Sequence, residues 1–218
     1  MECNLGITMS NSVWPPVIGI IPDGSRRWAK NNSCSPDVAY RLAASKVGTA
    51  IEACADLGIK ILYVYGASHQ NVLNRDPNTL AAIAAGFLEW ATHRSQSVID
   101  RVQFELVGDI GSMPPNSFTG TDHVFRANPS AEMKCCFVFN YSVEWDFSEG
   151  YETAKSFGWP AIDLLLRTGG DKRISEFMPT KCSYSELFFL DRKWPDFEKN
   201  DLIAVVDEYK TRPRTFGR

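Results

Sequence analysis

Residues 17–29, VIGIIPDGSRRWA, contain the strongest fold signal in the chain. The first five of these residues form a continuous apolar run, as expected for a parallel strand that is covered on both faces. The run ends at Pro22-Asp23-Gly24, a turn signal, and two adjacent arginines follow where a helix is expected to begin. The pattern therefore predicts a buried strand whose carboxyl end carries a charged loop.

Further β-rich runs alternate with helical segments along the rest of the chain. Further strands are predicted at 60–65, 102–107, 134–139, 162–166 and 185–190, and helices at 41–57, 78–98 and 202–210. This alternation predicts an α/β fold, a single domain with a central, mostly parallel sheet covered by helices. We expect the domain to span residues 17–218, and residues 1–16 to form a disordered leader.

The composition excludes several classes of protein. The 218 residues are 44% hydrophobic and 22% charged, which excludes a disordered or fibrous chain. The formal net charge of −3 gives no support to a nucleic-acid partner or a polybasic membrane anchor. Because no apolar run approaches the ~20 residues of a membrane span, and no secretory signal is present, we expect a cytoplasmic protein without stable membrane association. The six cysteines form no CxxC pair, which disfavours a zinc site, and are expected to stay reduced.

Three predicted strands end in polar loops, at residues 22–28, 66–76 and 167–175. The carboxyl ends of parallel strands form the ligand-binding edge of an open α/β sheet. Neither a GxxxxGK[ST] nor a GxGxxG pattern follows any strand, which disfavours the familiar kinds of nucleotide site. The three loops are therefore candidates for binding another polar ligand.

The first loop combines a carboxylate, a glycine turn and two arginines. Gly24 allows the backbone to approach a ligand closely, and a helix N-terminus offers free N–H donors to an anion. Arg26 and Arg27 would clamp phosphate oxygens while Asp23 holds Mg²⁺ against them. The residues alone equally allow a structural role, in which Asp23 caps the helix and both arginines are solvated.

The third loop reads RTGGDKRIS, residues 167–175, and supplies two arginines, a lysine, a hydroxyl and a Gly-Gly turn. This is the chemistry of a diphosphate pocket, although a basic surface turn has a similar composition. Further along, Glu186 lies in an otherwise aromatic and apolar stretch, 184–190, so its carboxylate needs a partner. The residues alone allow both an internal salt bridge and a metal site for Glu186.

The second loop contains Ser68-His69-Gln70-Asn71. Adjacent residues at a strand end point apart, and no third member of a catalytic triad is identifiable. Hydrogen bonding to a polar ligand is therefore favoured over nucleophilic catalysis. His93 and His123 are expected at the surface, and the tryptophans are expected to pack, with Trp28 next to the proposed site.

Taken in order, these motifs resemble those of the cis-prenyltransferases, the undecaprenyl diphosphate synthase family. The matching residues are Asp23-Gly24 with Arg27-Trp28-Ala29, Ser68-x-x-Asn71 with Asn74-Arg75, Val107-Gly108-Asp109, Asn140-Tyr141 with Trp145-Asp146, Arg167-Thr168-Gly169-Gly170 with Arg173-Ile174-Ser175, Glu186-Leu187-x-Phe189, Trp194-Pro195-Asp196-Phe197 and Arg214-x-Phe216-Gly217. The resemblance covers residues 17–218. It implies a homodimer that condenses isoprenoid diphosphates with Mg²⁺ as cofactor.

The resemblance also implies roles for particular residues. An allylic diphosphate is expected at the first loop, an acceptor diphosphate at Arg167, Arg173 and Ser175, and Mg²⁺ at the carboxylates of Asp23 and Glu186. The other substrate-binding candidates are Gly24, Ser25, Arg26, Arg27, Trp28, Tyr40, Ser68, His69, Gln70, Arg75 and Ile174. The catalytic candidates are Asp23 and Arg27 for the leaving diphosphate, and Ser68 and Asn71 for uptake of the proton.

The chain departs from the family pattern mainly on the allylic side. The family's Asp-Gly-Asn-Gly-Arg is replaced by residues 23–27, DGSRR, and Pro36 and Tyr40 replace a common arginine and histidine. In the second loop Gln70 replaces an acid, and one extra residue shifts Arg75. The allylic side is similar to that of irregular members, the cyclolavandulyl and isosesquilavandulyl diphosphate synthases, which join the donor to the middle of dimethylallyl diphosphate.

That likeness predicts condensation of geranyl or dimethylallyl diphosphate with dimethylallyl diphosphate. Isosesquilavandulyl diphosphate is the expected product, and the short segment 147–161 is typical of an enzyme with a small product. Two alternatives stay open. One is a head-to-tail short-chain synthase that uses isopentenyl diphosphate, and the other is a non-catalytic partner subunit of a heteromeric prenyltransferase.

Overall fold

The computed structural model describes residues 15–114, 117–148, 150, 153–156 and 158–213. Apart from Pro15 and Pro16, the leader predicted at residues 1–16 lies outside the described residues, and so does the motif match at 214–217. Among the helices within these ranges, none combines the length and the apolar character needed to cross a membrane.

The centre of the fold is a six-stranded sheet in which every neighbouring pair of strands is parallel. Along the chain its strands are β1 (Val17–Ile21), β2 (Ile61–Ser68), β3 (Val102–Val107), β4 (Met133–Tyr141), β5 (Leu164–Arg167) and β6 (Glu186–Phe189). Their spatial order is β3-β4-β2-β1-β5-β6. The predicted α/β fold with a central parallel sheet is confirmed.

Helices connect and cover these strands. They are α1 (Ser25–Asn31), α2 (Pro36–Asp56), α3 (His69–Asn74), α4 (Pro77–His93), α5 (Gln96–Arg101), α6 (Val143–Asp146) and α7 (Lys199–Thr211), with 3₁₀ turns at Ile110–Ser112 and Trp194–Asp196. The prediction of one helix over 78–98 is wrong. Arg94 is extended, and Ser95 starts a second helix by accepting a hydrogen bond from the Val98 N–H.

The strand β1 is buried along its whole length, as its unbroken apolar run predicts. Its residues pack into two apolar cores, Ile18 and Ile20 on the face covered by α2 and α4, and Val17 and Ile21 on the other face. Complete burial of each such isoleucine contributes about 1.5–3 kcal/mol to stability. The strand is therefore a rigid support for the loop that follows it.

The register of β1 positions the candidate site. β1 lies between β2 and β5, and its last residue, Ile21, is paired with Arg167, the last residue of β5. β2 runs in the same direction and ends at Ser68. The three polar loops therefore leave the sheet at one edge, the edge at which open α/β sheets bind ligands.

Candidate active site

Arg167 is a deeply buried charge at the end of β5. Its side chain is only 5% exposed, and its Nη2 atom lies 2.8 Å from Oδ2 of Asp23. Its Nη1 atom donates hydrogen bonds to Ser175 Oγ at 2.9 Å and to the carbonyl oxygen of Arg173 at 2.5 Å. A buried guanidinium needs such partners because its desolvation is otherwise costly. Arg167 thereby ties the first loop to the third.

Asp23 is held through both its backbone and its side chain. Its N–H donates to Thr168 Oγ1 at 3.0 Å, and the same hydroxyl donates to the Asp23 carbonyl oxygen at 2.9 Å. The N-cap of α1 is Gly24, at φ +105°, so Asp23 is not the helix cap that the sequence allowed. Burial raises the pKa of Asp23, but hydrogen bonding and charge from Arg167, the Gly24 N–H and the charge of Arg27 outweigh burial and hold the pKa below its ordinary value.

Asp171 joins the arginines into one cluster. Its Oδ2 atom lies 3.2 Å from Arg27 Nη2, 2.9 Å from Arg173 Nη2 and 3.7 Å from Arg167 Nη2. Arg27 Nη2 also lies 3.2 Å from Asp23 Oδ2. Sequence reasoning missed Asp171, although a carboxylate among the basic residues of RTGGDKRIS was a signal that it would be paired. Arg27 and Arg173 are therefore ion-paired and not simply solvated.

A cavity of about 660 Å³ lies against this cluster. The predicted site residues that line it are Asp23, Gly24, Ser25, Arg26, Arg27, Tyr40, Ser68, Asn71, Arg75, Arg167, Arg173 and Ser175. The structure therefore brings together candidates from all three polar loops. Lys30 and Asp171, which the sequence reasoning did not select, line the cavity as well.

The rest of the cavity wall is apolar. Its residues include Ala43, Ala44 and Val47 of α2, Val64 and Ala67 of β2, Ile83, Phe87 and Trp90 of α4, and Phe137 and Phe139 of β4. The Phe87 ring packs against Trp90 and Phe137, with centroids 5.6 and 4.9 Å apart. Trp90 packs in the core as expected, and it is also part of the cavity wall. Charged and apolar walls together suit a ligand with an anionic head and a short hydrocarbon chain.

Ser68 and Asn71 are coupled at the start of α3. Ser68 Oγ accepts hydrogen bonds from the Asn71 N–H at 3.1 Å and from Asn71 Nδ2 at 2.5 Å. The prediction of a loop here is wrong, because the Ser68 cap starts a short helix. His69 and Gln70 do not line the cavity; His69 Nδ1 lies 2.9 Å from Asn140 Oδ1, and Gln70 is exposed. The serine and the histidine thus have separate hydrogen-bond partners.

Arg75 is a half-buried cation that follows α3 and lines the cavity. Burial lowers the pKa of Arg75, and the neighbouring charge of Arg26 does the same, while Tyr40 and Asp23 act in the opposite direction. A guanidinium nevertheless stays protonated in proteins. Within the described part of the chain, neither Arg75 nor Arg26 is in an ion pair, so both place positive charge beside the cavity.

Two further candidates lie outside the cavity lining. Trp28 Nε1 donates to Asp196 Oδ1 at 2.6 Å, and Ile174 packs against the core on the face of Val17 and Ile21. Trp28 lies in α1 beside Arg26 and Arg27, and Ile174 follows Arg173, so each is next to an arginine that lines the cavity without lining it itself.

Glu186 does not lie beside Asp23 in this chain. It begins β6 in register with Leu164, the first residue of β5, whereas Arg167 and Asp23 lie at the other end of the sheet. Its carboxylate accepts a hydrogen bond from Arg212 Nη1 at 3.0 Å. The structure therefore shows the salt bridge, places Glu186 and Asp23 at different ends of the sheet within one chain, and leaves the role of Glu186 as a metal ligand a prediction.

A divalent metal would have one protein carboxylate of the first loop available, that of Asp23. No group of three or more His, Cys, Asp or Glu residues with metal-binding geometry is found among the described residues. Mg²⁺ commonly binds one or two carboxylates together with substrate phosphates, in place of a cage made only of protein groups. The residues present therefore fit a Mg²⁺ ion that binds together with a diphosphate.

Comparisons with known proteins agree with this geometry. The family model described as "Putative undecaprenyl diphosphate synthase" matches residues 21–158 and 152–217. The chain is 27% identical to the isoprenyl transferase of Chlorobaculum tepidum, over 96% of this chain and 88% of that protein. It is 31% identical to the tritrans,polycis-undecaprenyl-diphosphate synthase (geranylgeranyl-diphosphate specific) of Aeropyrum pernix, over 94% of this chain and 99% of that protein.

A solved structure shares the fold. The lavandulyl diphosphate synthase of Lavandula x intermedia, in complex with dimethylallyl diphosphate, superimposes with a TM-score of 0.82 over 94% of this chain and 99% of that chain, at 23% sequence identity. At this identity the likeness establishes the fold only. The family model and the archaeal relative, in contrast, match nearly the whole sequence. The chain therefore belongs to the undecaprenyl diphosphate synthase family of prenyltransferases.

Proposed function

We propose that this prenyltransferase joins an allylic diphosphate, geranyl or dimethylallyl, to dimethylallyl diphosphate in a head-to-middle condensation. The proposed product is isosesquilavandulyl diphosphate. The observation that carries the proposal is the meeting of an arginine cluster with an aromatic-walled cavity of about 660 Å³. That volume is ordinary for small ligands, so it favours short hydrocarbon chains. The lavandulyl diphosphate synthase that shares this fold was solved in complex with dimethylallyl diphosphate, the acceptor proposed here.

Two groups of cations would each hold one diphosphate. Arg26 and Arg27 of α1 would hold that of the allylic donor, and Arg167 and Arg173 with Ser175 Oγ that of the acceptor. Guanidinium groups bind phosphate oxygens in a bidentate manner. The positive charge of these groups exceeds the negative charge of the carboxylates paired with them, which leaves the cavity attractive to anions.

The proposed reaction breaks one carbon–oxygen bond and forms one carbon–carbon bond. The C1–O bond of the donor breaks and its electron pair leaves with the diphosphate, whose charge Arg26 and Arg27 stabilise. The double bond of the acceptor attacks C1, which leaves a tertiary cation. Loss of a proton then restores a double bond. Ser68 Oγ, the Asn71 side chain or an oxygen of the released diphosphate takes up this proton.

Mg²⁺ is the proposed cofactor, held by Asp23 and by diphosphate oxygens. When bound, it supplies positive charge that favours departure of the diphosphate. The Asp23 side chain contributes by presenting an ionised carboxylate, because the nearby arginines keep its pKa low. The apolar walls contribute by excluding water, which would otherwise capture the carbocation.

We also propose that the chain forms a homodimer. The edge strand β6 carries Leu187, which is 39% exposed, and Tyr184, just before it, is 70% exposed. An exposed apolar edge is normally covered in a stable protein, and a second copy of the chain would cover it. Light scattering after size-exclusion chromatography tests the proposal, and a monomeric mass at micromolar concentration would refute it.

A head-to-tail short-chain synthase that uses isopentenyl diphosphate is the second candidate function. The cluster of Arg167, Arg173 and Ser175 supports it, because this acceptor site is the part that matches the family pattern without change. A non-catalytic partner subunit is disfavoured, because Asp23 and its ion pairs are present.

The identity of the product distinguishes these functions. The protein is incubated with Mg²⁺ and each pair of the C5 and C10 diphosphates, and the alcohols obtained after phosphatase treatment are identified by mass spectrometry. A branched C15 alcohol from geranyl and dimethylallyl diphosphates is expected. Products formed only in mixtures that include isopentenyl diphosphate would establish the head-to-tail function. No turnover of any pair would favour the partner subunit. Addition of EDTA is expected to abolish turnover.

A further inference from the structure

The Asp171 carboxylate occupies the centre of the arginine cluster. Its Oδ2 atom lies within 3.2 Å of guanidinium nitrogens of both Arg27 and Arg173, and both arginines line the cavity. The chain reaches this point through Gly169 and Gly170, which have φ values of +87° and +84°. At Gly169 a Cβ atom would lie 2.9 Å from the backbone carbonyl oxygen of Asp23, so this backbone conformation and this close approach require glycine.

Asp171 is not needed to compensate for burial of these two arginines. The side chains of Arg27 and Arg173 are 46% and 63% exposed, so water solvates them well. Arg167, at 5% exposure, does need a counter-ion, but Asp23 supplies it at 2.8 Å. Stability of the fold therefore gives no strong reason for a carboxylate at the position of Asp171.

The same position is where an anionic ligand would bind. Carboxylates and phosphates accept hydrogen bonds from guanidinium groups in the same way, so both compete for the same N–H donors. We propose that Asp171 is a competing internal anion, which pairs with Arg27 and Arg173 in the free protein and gives up Arg27 to the donor diphosphate and Arg173 to the acceptor diphosphate. This inference rests on the proposed function, because it takes the ligand to be a diphosphate.

The expected effect follows from the exposure of the two pairs. Exposed ion pairs are individually weak, so removing the competition at one arginine should tighten binding of the diphosphate held there by about 1.5- to 5-fold. If Asp171 instead orients the arginines for the ligand, its removal should weaken binding. The direction of the change therefore separates the two roles.

The test measures binding of inorganic pyrophosphate to the full chain by titration calorimetry, for wild type, Asp171→Asn and a control, Asp191→Asn. Asp191 lies next to the same loop, since its Oδ1 atom would be 3.4 Å from a Cβ at Gly170. Within the described ranges it makes no ion pair, so this control removes the same charge without freeing an arginine. Asp171→Ser is a second neutral variant, and thermal unfolding confirms that each variant is folded.

Tighter binding by Asp171→Asn and Asp171→Ser, with little change in Asp191→Asn, is the expected result. Unchanged or weaker binding by the Asp171 variants would overturn the inference, and so would equal tightening by Asp191→Asn, which would show only a general effect of charge. Wild-type protein that neither binds pyrophosphate nor turns over isoprenoid diphosphates would instead refute the proposed function.

Discussion

Replacing Asp23 with asparagine tests the ion pair at the centre of the site. The amide keeps the shape of the side chain but removes the charge that lies 2.8 Å from Arg167 Nη2. Removing one partner of a fully buried pair typically costs 3–5 kcal/mol, because the other charge stays buried. Here Asp23 is 31% exposed, and Asp171 remains 3.7 Å from Arg167. We therefore expect a smaller loss, about 1–3 kcal/mol in the free energy of unfolding.

Urea unfolding followed by circular dichroism measures this loss. The matched control is Asp207→Asn, which breaks an ion pair with Lys210 at a side chain that is 61% exposed. The control should change the free energy of unfolding by no more than about 0.5 kcal/mol. Equal losses in the two variants would show that burial of Arg167 does not depend on Asp23, and the account of the site given above would then be incorrect.

The same variant has an expected pH dependence. The pKa of Asp23 is lowered in the folded protein from its ordinary value of 3.8, so the unfolded chain binds its proton more readily. The stabilisation is therefore fully present above pH ~4 and is lost as the pH falls through the lower, folded pKa. Unfolding curves between pH 7 and pH 3 should show the difference between wild type and Asp23→Asn shrinking in acid. A constant difference would contradict the assignment.

Three further predictions concern catalysis. Arg173→Ala should lower kcat/KM for the acceptor by roughly 30- to 1000-fold, because a charge-assisted contact to its diphosphate is lost; unchanged acceptor kinetics would contradict its role. Arg26→Gly should lower kcat more than it raises the acceptor KM, because the arginine acts on charge that develops as the donor ionises. Single-turnover kinetics measure this, and an unaltered chemical step would move Arg26 to the acceptor site. Trp90→Ala should enlarge the apolar part of the cavity and admit farnesyl diphosphate as donor, which product analysis of wild type and variant would show; an unchanged range of donors would count against Trp90 as a limiting wall.

Local patterns predicted the elements whose signals are strong. β1 and β3 have the predicted bounds, 17–21 and 102–107, because each strand segment ends at a residue that breaks a strand, Pro22 or Gly108. The sequence pattern did not predict the short helix α3, because its signal is weak. The segment HQNVLN has no apolar periodicity, and it forms α3 because Ser68 caps it.

The candidate site was predictable where its chemistry is concentrated in short motifs. The charged residues of DGSRR and RTGGDKRIS indicated an anion site, and most of them line one cavity. The apolar wall was not predictable in this way, because Phe87 and Phe137 come from separate elements and look like ordinary core residues in the sequence. Asp171 was missed for a related reason, since only its contacts show that it pairs with arginines.

The apolar runs and the charge clusters at residues 22–28 and 167–175 are local properties of the chain, so the sequence alone predicted the parallel α/β fold and the charged loops at its strand ends. Which charged residues meet depends on the tertiary structure. Asp23 contacts Arg167 across 144 positions of sequence because β1 and β5 are adjacent and in register. Glu186 pairs with Arg212 at the opposite end of the sheet because β6 begins there. Strand order and register depend on pairing between distant segments of the chain. They determine which strand ends lie side by side, and therefore which charged residues can form ion pairs.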